Sequence, residues 1–135
     1  MTRRVTPYLV IEGAAAAIDW YRDVLAAEEV SRATGGAGRI AHAEIRIGAS
    51  SVFIGDEHVH YEDIHGPMRV GGTPVYLDLE TDDVAGTFER AIAAGATAIR
   101  QPTDPELPMQ TAKIRDPWGH VWLLTRSGDV DANAS

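Results

Sequence analysis

The sequence predicts an α+β protein built from two tandem βαβββ modules, whose curved mixed sheets surround a cavity. Three observations indicate this architecture. The segment AEIR at residues 43–46 recurs as AKIR at residues 112–115, which is 69 positions later. The strand-like YLVIE at residues 8–12 recurs as YLDLE at residues 76–80, which is 68 positions later. Each half also places an amphipathic, helix-like stretch between these two segments, so one supersecondary unit is repeated twice.

The composition of residues 1–135 is that of a single globular domain, with 44% hydrophobic and 24% charged residues. The formal net charge is −8, and an acidic chain without a basic tract is a poor binder of nucleic acid or of an anionic membrane surface. There is no cysteine, which excludes disulfides and thiolate chemistry. Because no signal-like or membrane-length apolar run occurs, we expect a cytoplasmic protein.

The first module is expected at residues 5–56. Its first segment is rich in β-formers, and Gly13 ends that strand before a run of alanines opens a helix. A spacing of 3.6 residues predicts a buried stripe on the helix, made of Ile18, Tyr21, Val24 and Leu25. A short edge strand and the two strands of a hairpin follow, at residues 28–33, 39–47 and 51–56.

The second module is expected at residues 74–126, after a linker at residues 57–73. In this module a strand at residues 76–80 precedes a helix that Gly95 ends, and a strand at residues 97–100 precedes the second hairpin. The buried side of the helix is expected to carry Val84, Phe88, Ala91 and Ile92. The polar tail at residues 127–135 is expected to be flexible.

The linker contains three of the five histidines, His58, His60 and His65, between glycine-rich segments. In a loop nothing fixes two imidazoles in a metal-binding geometry, so surface histidines are the better interpretation.

One helix covers one face of a four-stranded sheet, which leaves the other face open. Strand alternation, taken with the 69-residue repeat, favours a set of apolar residues for the helix-covered face. The set consists of Leu9, Ile11, Phe53, Leu77, Leu79 and Trp122, packed against Trp20 and Phe88. The same alternation places Tyr8 and Tyr76 on the open side.

Several motifs occur together in the order and spacing of a known family. IDWY stands at residues 18–21, DDV at 82–84, AAGA at 93–96 and DPWGH at 116–120. With these motifs the chain resembles the vicinal oxygen chelate superfamily of glyoxalase I, extradiol dioxygenases, and fosfomycin and bleomycin resistance proteins. GRIAHAE at residues 38–44 and GGTPV at 71–75 are similar to the small bacterial, PhnB-like or glyoxalase-like branch. The resemblance implies two modules that cup a cavity, usually completed by a homodimer partner.

The resemblance also implies a divalent metal held by His, Gln or Glu on the first and last strands of each module. Here the corresponding positions are Thr6 and Tyr76 on the first strands, and a position near Ile54 and Leu123 on the last strands. Aliphatic side chains offer no ligand to such a metal. Asp56 and Asp78 alone would make a sparse site, so we expect no cofactor.

The predicted binding residues are those expected to line the cavity: Tyr8, His42, Asp56, Tyr76, Asp78, Trp118, Val121 and Leu123. Tyr8 and Tyr76 either contact a ligand or fill space between the modules. His42 beside Glu44 is either a general base with an orienting carboxylate or a cross-strand structural pair. Trp118, at a turn, is either a pocket lid or a dimer contact.

Two functions follow from these residues. The first is a metal-free homodimer that binds a small, partly apolar molecule. The bleomycin-binding members of the family that the chain resembles bind their ligand in this way. The second is a lyase, isomerase or dioxygenase with an unconventional site, and a structural dimer with a vestigial cavity is a third possibility. The aromatic and acidic residues favour a flat ligand with a cationic group near Asp78. Small polyanions are disfavoured, because no converging Arg and Lys are expected on this face.

Overall fold

The computed structural model describes residues 1–58 and 63–127, and the chain forms two compact units within it. We call residues 1–72 unit 1 and the residues from 73 onward unit 2. His60 and all of the predicted tail except Ser127 lie outside the described residues. No helix among the described residues is long and apolar enough to cross a membrane.

Unit 1 contains one βαβββ module followed by a short helix. Its elements are β1 (Tyr8–Ile11), α1 (Ala14–Leu25), β2 (Glu28–Thr34), β3 (Ile40–Ile47), β4 (Ser50–Asp56) and α2 (Pro67–Val70). The sheet order is β1-β4-β3-β2, in which β1 and β4 are parallel and the other pairs are antiparallel. The predicted α+β class and the βαβββ module are confirmed for this half.

Unit 2 repeats the arrangement. Its elements are β5 (Tyr76–Glu80), α3 (Val84–Ala93), β6 (Thr97–Arg100), β7 (Gln110–Arg115) and β8 (Val121–Arg126). The sheet order β5-β8-β7-β6 has the same parallel and antiparallel pairs as in unit 1. The second predicted module is therefore confirmed as well.

In each unit the helix packs on one sheet face, and we call the opposite face the open face of that unit. The predicted stripe of α1 is buried throughout, and Ile45 and Ile54 lie beneath it with at most 1% of their surface exposed. In unit 2 Phe88 and Leu124 fill the corresponding layer, whereas Ile92 is 36% exposed, so its predicted burial is wrong. The helix turns Ile92 outward because it follows Ala91, which takes the sheet-facing position.

The repeat contains a gap that the sequence comparison missed. Arg46 pairs with Ser51 across the first hairpin, with four residues between them, whereas Arg115 pairs with Val121 across five residues. The second turn is therefore one residue longer. Beyond the turn the two units correspond at an offset of 70 instead of 69, because Ala43 pairs with Ile54 and Ala112 pairs with Leu124.

This gap corrects two predictions, since a shift of one residue moves a strand's side chains to the other face. Phe53 corresponds to Leu123 and lies on the open face, so its assignment to the helix-covered face is wrong. Trp122 does lie on the helix-covered face and is 3% exposed. Tyr8 pairs with Phe53 and Asp78 pairs with Leu123, so Tyr8 corresponds to Asp78 and not to Tyr76.

The described part of the predicted linker is fixed to unit 1. Glu57 is 4% exposed, accepts a 2.6 Å hydrogen bond from the Gly66 backbone N–H, and pairs with Arg69 at 3.1 Å. Burial alone would raise the pKa of Glu57, but Arg69 and the Gly66 N–H lower it below its ordinary value. A β-carbon on Gly66 would lie 2.9 Å from the Val10 carbonyl oxygen, so this close approach requires glycine.

Candidate functional site

Three rings meet on the open face of unit 1. The ring centroids of His42 and Phe53 lie 4.9 Å apart, those of Tyr8 and His42 5.5 Å, and those of Tyr8 and Phe53 6.0 Å. Neighbouring strands place these side chains together, because Tyr8 on β1 pairs with Phe53 on β4, which lies beside β3 and His42. Tyr8 is 48% exposed, and the other two are partly exposed. We call these three residues the ring cluster.

The Tyr8 hydroxyl fixes the orientation of His42. Its oxygen lies 3.1 Å from His42 Nδ1 and 3.5 Å from the Ala41 carbonyl oxygen, and burial raises the pKa of Tyr8. Gly55 makes room for this arrangement, because a β-carbon there would lie 2.9 Å from the Tyr8 hydroxyl oxygen.

Glu44 brings a carboxylate to the edge of the ring cluster. It is the register partner of Phe53, and its Oε2 accepts a 2.8 Å hydrogen bond from the Ser51 hydroxyl. The side chain is partly buried. The open face of unit 1 therefore offers aromatic faces, one imidazole and one anchored carboxylate, which together suit a flat ligand with a polar or charged group.

The open face of unit 2 has a different chemistry. Tyr76 is 53% exposed, and the Nζ atom of Lys113 lies 4.5 Å from the centroid of its ring. Val121 pairs with Tyr76, and Leu123 pairs with both Asp78 and Lys113. The structure thus brings four predicted binding residues, Tyr76, Asp78, Val121 and Leu123, onto one face. Lys113, whose ammonium lies over the Tyr76 ring, was not among the predicted binding residues.

The expectation that this face lacks basic residues is wrong. Lys113 and Arg115 alternate with the buried Ala112 and Ile114, so both lie on the open face of unit 2. Arg100 is the register partner of Lys113, and its guanidinium donates a 2.9 Å hydrogen bond to the Thr111 hydroxyl. A cationic ligand group beside Asp78 would therefore meet the positive charge of Lys113.

Asp56 is a core residue, and its predicted place in the cavity is wrong. It is 6% exposed and lies on the helix side of β4. Its Oδ1 accepts hydrogen bonds from the backbone N–H groups of Gly13 and Ala14 at 2.8 and 3.0 Å, and its Oδ2 accepts one from Ile40 at 2.7 Å. Burial alone would raise the pKa of Asp56, but these three donors lower it below its ordinary value of 3.8.

Trp118 belongs to the long turn of unit 2. The turn is organised by Asp116, which is 3% exposed and accepts hydrogen bonds at 3.0 Å from the Trp118 and His120 backbone N–H groups and from the Trp122 indole N–H. Trp118 itself is partly exposed. Its predicted role as a lid or a dimer contact stays a prediction.

Phe53 was missed as a candidate, while Glu44 and Lys113 were not weighed as ligand contacts. The available signal was the length of the two turns. Counting GAS against DPWG would have revealed the additional residue in the second hairpin and placed Phe53 beside Tyr8. The opposite charges of Glu44 and Lys113 were visible inside the AEIR and AKIR repeat.

The residues at the metal positions implied by the resemblance do not fit a divalent metal. In unit 1 these positions are Thr6 and Phe53, since Ile54 points into the core, and in unit 2 they are Tyr76 and Leu123. Phenyl and isobutyl groups have no donor atoms, so neither unit supplies a chelating pair at these positions. Among residues 1–58 and 63–127, no group of three or more His, Asp and Glu is placed to hold a metal ion.

Comparison with known proteins gives both family and fold matches. The family described as the Glyoxalase/Bleomycin resistance protein/Dioxygenase superfamily matches residues 5–124. An uncharacterized protein of Mycobacterium bovis is 35% identical over 122 residues, which cover 89% of this chain and 80% of that protein.

Two solved structures are similar over nearly their whole length. TioX from Micromonospora sp. ML1 has a TM-score of 0.69 at 24% identity, covering 93% of this chain and 99% of TioX. The PhnB protein from Bacillus cereus has a TM-score of 0.67 at 19% identity, covering 92% of this chain and 99% of that chain. At these identities the likeness is one of fold.

Proposed function

Because this chain belongs to the glyoxalase/bleomycin resistance protein/dioxygenase superfamily, we propose that it binds a small, flat and partly apolar molecule without a metal cofactor. The resemblance to this superfamily that the sequence motifs predicted is confirmed, and the PhnB protein from Bacillus cereus has a similar fold. The proposed binding surface is the open face of unit 1, and the ligand stacks on the ring cluster.

One observation carries this proposal: Tyr8, His42 and Phe53 form a partly exposed aromatic surface on a rigid sheet. The Tyr8 hydroxyl is held by His42 and its ring is seated over Gly55. A ligand that covers the rings therefore gains apolar contact while the protein loses little side-chain freedom. Tyr76 is a weaker candidate, because Lys113 already lies over its ring.

The test is a thermal-shift screen of planar aromatic compounds, neutral and charged, followed by calorimetric titration of the hits. A ligand that binds only the folded protein raises its melting temperature. We expect Tyr8→Ala and Phe53→Ala each to weaken binding by about 5- to 30-fold, through lost stacking and apolar contact.

The matched control is Val30→Ala. Val30 is also an exposed apolar residue of unit 1 (42%), but it lies on β2, at the sheet edge opposite β1. Equal weakening by Val30→Ala and Tyr8→Ala, or hits that none of the three changes affects, would place the binding surface elsewhere.

The absence of a metal requirement follows from the donor set at the family positions. We expect protein purified without chelator to contain no stoichiometric Ni, Zn, Fe or Mn, and EDTA to leave its melting temperature unchanged. Elemental analysis that finds one metal per chain would instead favour the second function, a lyase, isomerase or dioxygenase with an unconventional site.

We propose that the protein acts as a homodimer. The edge strands β2 and β6 are exposed along their whole length, and unpaired strand edges are surfaces that proteins commonly cover. Light scattering at micromolar concentration should give twice the mass of the chain. A monomer mass would refute the homodimer and leave the ring-cluster proposal standing.

A further inference from the structure

In unit 2 the chain places its own cation on its own aromatic ring. Lys113 extends from β7 across β8, and its Nζ atom lies 4.5 Å from the centroid of the Tyr76 ring on β5. An ammonium at that distance is attracted by the negative face of the ring. In this sheet, a charged side chain near the middle of β7 therefore reaches an aromatic ring on β5, two strands away.

Unit 1 has the opposite charge at the corresponding position. Glu44 is the repeat partner of Lys113, and each is the register partner of the open-face residue on the neighbouring strand, Phe53 and Leu123 respectively. Where unit 2 combines a tyrosine with an ammonium, unit 1 combines the ring cluster with a carboxylate. A cation and an aromatic ring are both needed for the attraction. In unit 1 the residue that corresponds to Lys113 is an acid, and the nearest cation on this face of β3 is Arg46, two residues further along the strand.

Within the described chain the Glu44 side chain is hydrogen-bonded but not ion-paired. Its side-chain partner is the Ser51 hydroxyl at 2.8 Å, and no Arg, Lys or His of residues 1–58 and 63–127 forms an ion pair with it. Arg46 lies two residues beyond Glu44 on the same face of β3, and its register partner on β2 is the acidic Glu28. Glu44 is thus an anchored and partly buried carboxylate beside exposed rings.

We propose that the open face of unit 1 recognises an organic cation whose charge is spread over a flat aromatic or N-alkylated group. This inference rests on the proposed binding function and specifies its ligand class. The rings of Tyr8 and Phe53 contact the face of the cation, and Glu44 supplies the counter-charge. Such cations are weakly hydrated, so they lose little on leaving water, whereas a divalent metal ion needs several more oxygen ligands than Glu44.

The experiment compares N-methylquinolinium with lepidine, an uncharged methylquinoline of nearly the same shape, in mildly alkaline buffer. Both are titrated calorimetrically into the wild-type chain, into Glu44→Gln, and into the control Asp19→Asn. The control removes the same charge from α1, on the other face of the sheet, where the Asp19 side chain is 58% exposed. Apart from the loss of an exposed Arg22–Asp19 ion pair, this control reports the effect of net charge.

We expect Glu44→Gln to weaken N-methylquinolinium by about tenfold, the range of a partly desolvated cation–carboxylate and cation–π site. Lepidine should keep its affinity within about twofold in all three proteins, because it carries no charge for Glu44 to attract. Asp19→Asn should leave both affinities near those of the wild type, since an exposed charge at a distance is screened by salt.

Two outcomes overturn this inference while leaving the proposed function intact. One is equal weakening of both probes by Glu44→Gln, which would make Glu44 a structural or shape-determining residue. The other is equal weakening of the cation by Glu44→Gln and Asp19→Asn, which would reduce the effect to general acidity. If neither probe binds the wild-type chain, the cation inference fails. If both probes bind the wild-type chain and their binding survives Tyr8→Ala, the ring-cluster proposal fails.

Discussion

The two units build the same fold but complete the N-terminus of their helix in different ways. In unit 2 the cap is local, because Asp83 directly precedes α3 and its Oδ1 accepts a 2.9 Å hydrogen bond from the Gly86 N–H. In unit 1 the residue before α1 is Gly13, which has no side chain to offer. Asp56 supplies the cap from the end of β4, more than forty residues later in the chain.

The capping carboxylate therefore has a different structural role in each unit. The distant cap of unit 1 joins α1, β3 and β4 at a single buried carboxylate, whereas the local cap of unit 2 serves its own helix alone. A long-range cap depends on the tertiary fold and also stabilises it. In unit 1 the Asp56 carboxylate is buried and accepts hydrogen bonds from three backbone N–H groups, so it does not face a ligand on the open face. The carboxylate on that face of β3 is that of Glu44.

The largest effect is expected from the core tryptophan of unit 2. Trp122→Ala should lower the free energy of unfolding by about 3–5 kcal/mol, because it removes a buried indole and leaves a cavity. The corresponding residue of unit 1 is Val52, and Val52→Ala should lower it by about 2 kcal/mol. Trp118→Ala, at a partly exposed turn position, should lower it by about 1 kcal/mol or less.

Denaturant midpoints measured by circular dichroism check this order. The indole N–H of Trp122 also donates a 3.0 Å hydrogen bond to Asp116, which Trp122→Phe would remove while keeping most of the packing. Should Trp118→Ala be the more destabilising tryptophan change, the assignment of faces on β8 would be reversed.

The next largest effect on stability distinguishes the long-range cap, Asp56, from the local cap, Asp83. Asp56→Ala should lower the free energy of unfolding by about 2–4 kcal/mol, because three backbone N–H groups lose their acceptor. Asp83→Ala should lower it by about 1 kcal/mol, since the exposed N–H of Gly86 then bonds to water. Chemical denaturation of both variants checks the ratio, and Asp23→Ala on the exposed side of α1 serves as a control with a change of about 0.5 kcal/mol or less. Equal effects of Asp56→Ala and Asp83→Ala would contradict the distinction between long-range and local caps.

A smaller effect concerns pH and involves two buried carboxyl groups of unit 1. The pKa values of Asp56 and Glu57 lie below their ordinary values of 3.8 and 4.5. The unfolded chain therefore binds these protons more readily, so their stabilisation is fully present above the ordinary values and is lost as pH falls through the folded ones. The denaturation midpoint of the wild type should fall in acid, and Asp56→Asn should show a shallower fall. An unchanged acid slope in Asp56→Asn would show that this carboxylate is not a source of the dependence.

The smallest effect is the cation–π contact itself. A double-mutant cycle of Tyr76→Leu and Lys113→Met in unit 2 should give a coupling energy of about 0.5–1 kcal/mol. The same cycle of Tyr8→Leu and Glu44→Met in unit 1 should give about zero or an unfavourable value, because a carboxylate is not attracted to a ring face. Equal couplings in both units would remove the basis for assigning a cation to the open face of unit 1.

The sequence by itself determined the architecture. Two copies of a strand, an amphipathic helix and a hairpin are visible as periodicity and repetition, because strand alternation and helix spacing are properties of neighbouring residues. The same local signals identified the buried stripe of α1 and placed Tyr8 and Tyr76 on the open faces. Family membership also followed from short motifs in a fixed order.

Only the tertiary structure decided which open-face residues are neighbours. Because the second turn has one additional residue, Phe53 corresponds to Leu123 instead of Trp122, and Tyr8 corresponds to Asp78 instead of Tyr76. Phe53 therefore shares the open face of unit 1 with Tyr8. The turn lengths were present in the sequence, but their consequence appears only when strands pair and a shift of one residue reverses a face. In the sequence, Asp56 is likewise only an acidic residue at the end of a predicted strand. The fold brings three backbone N–H groups to its carboxylate. A buried backbone donor needs an acceptor, and which side chain supplies it depends on contacts between residues far apart in the chain.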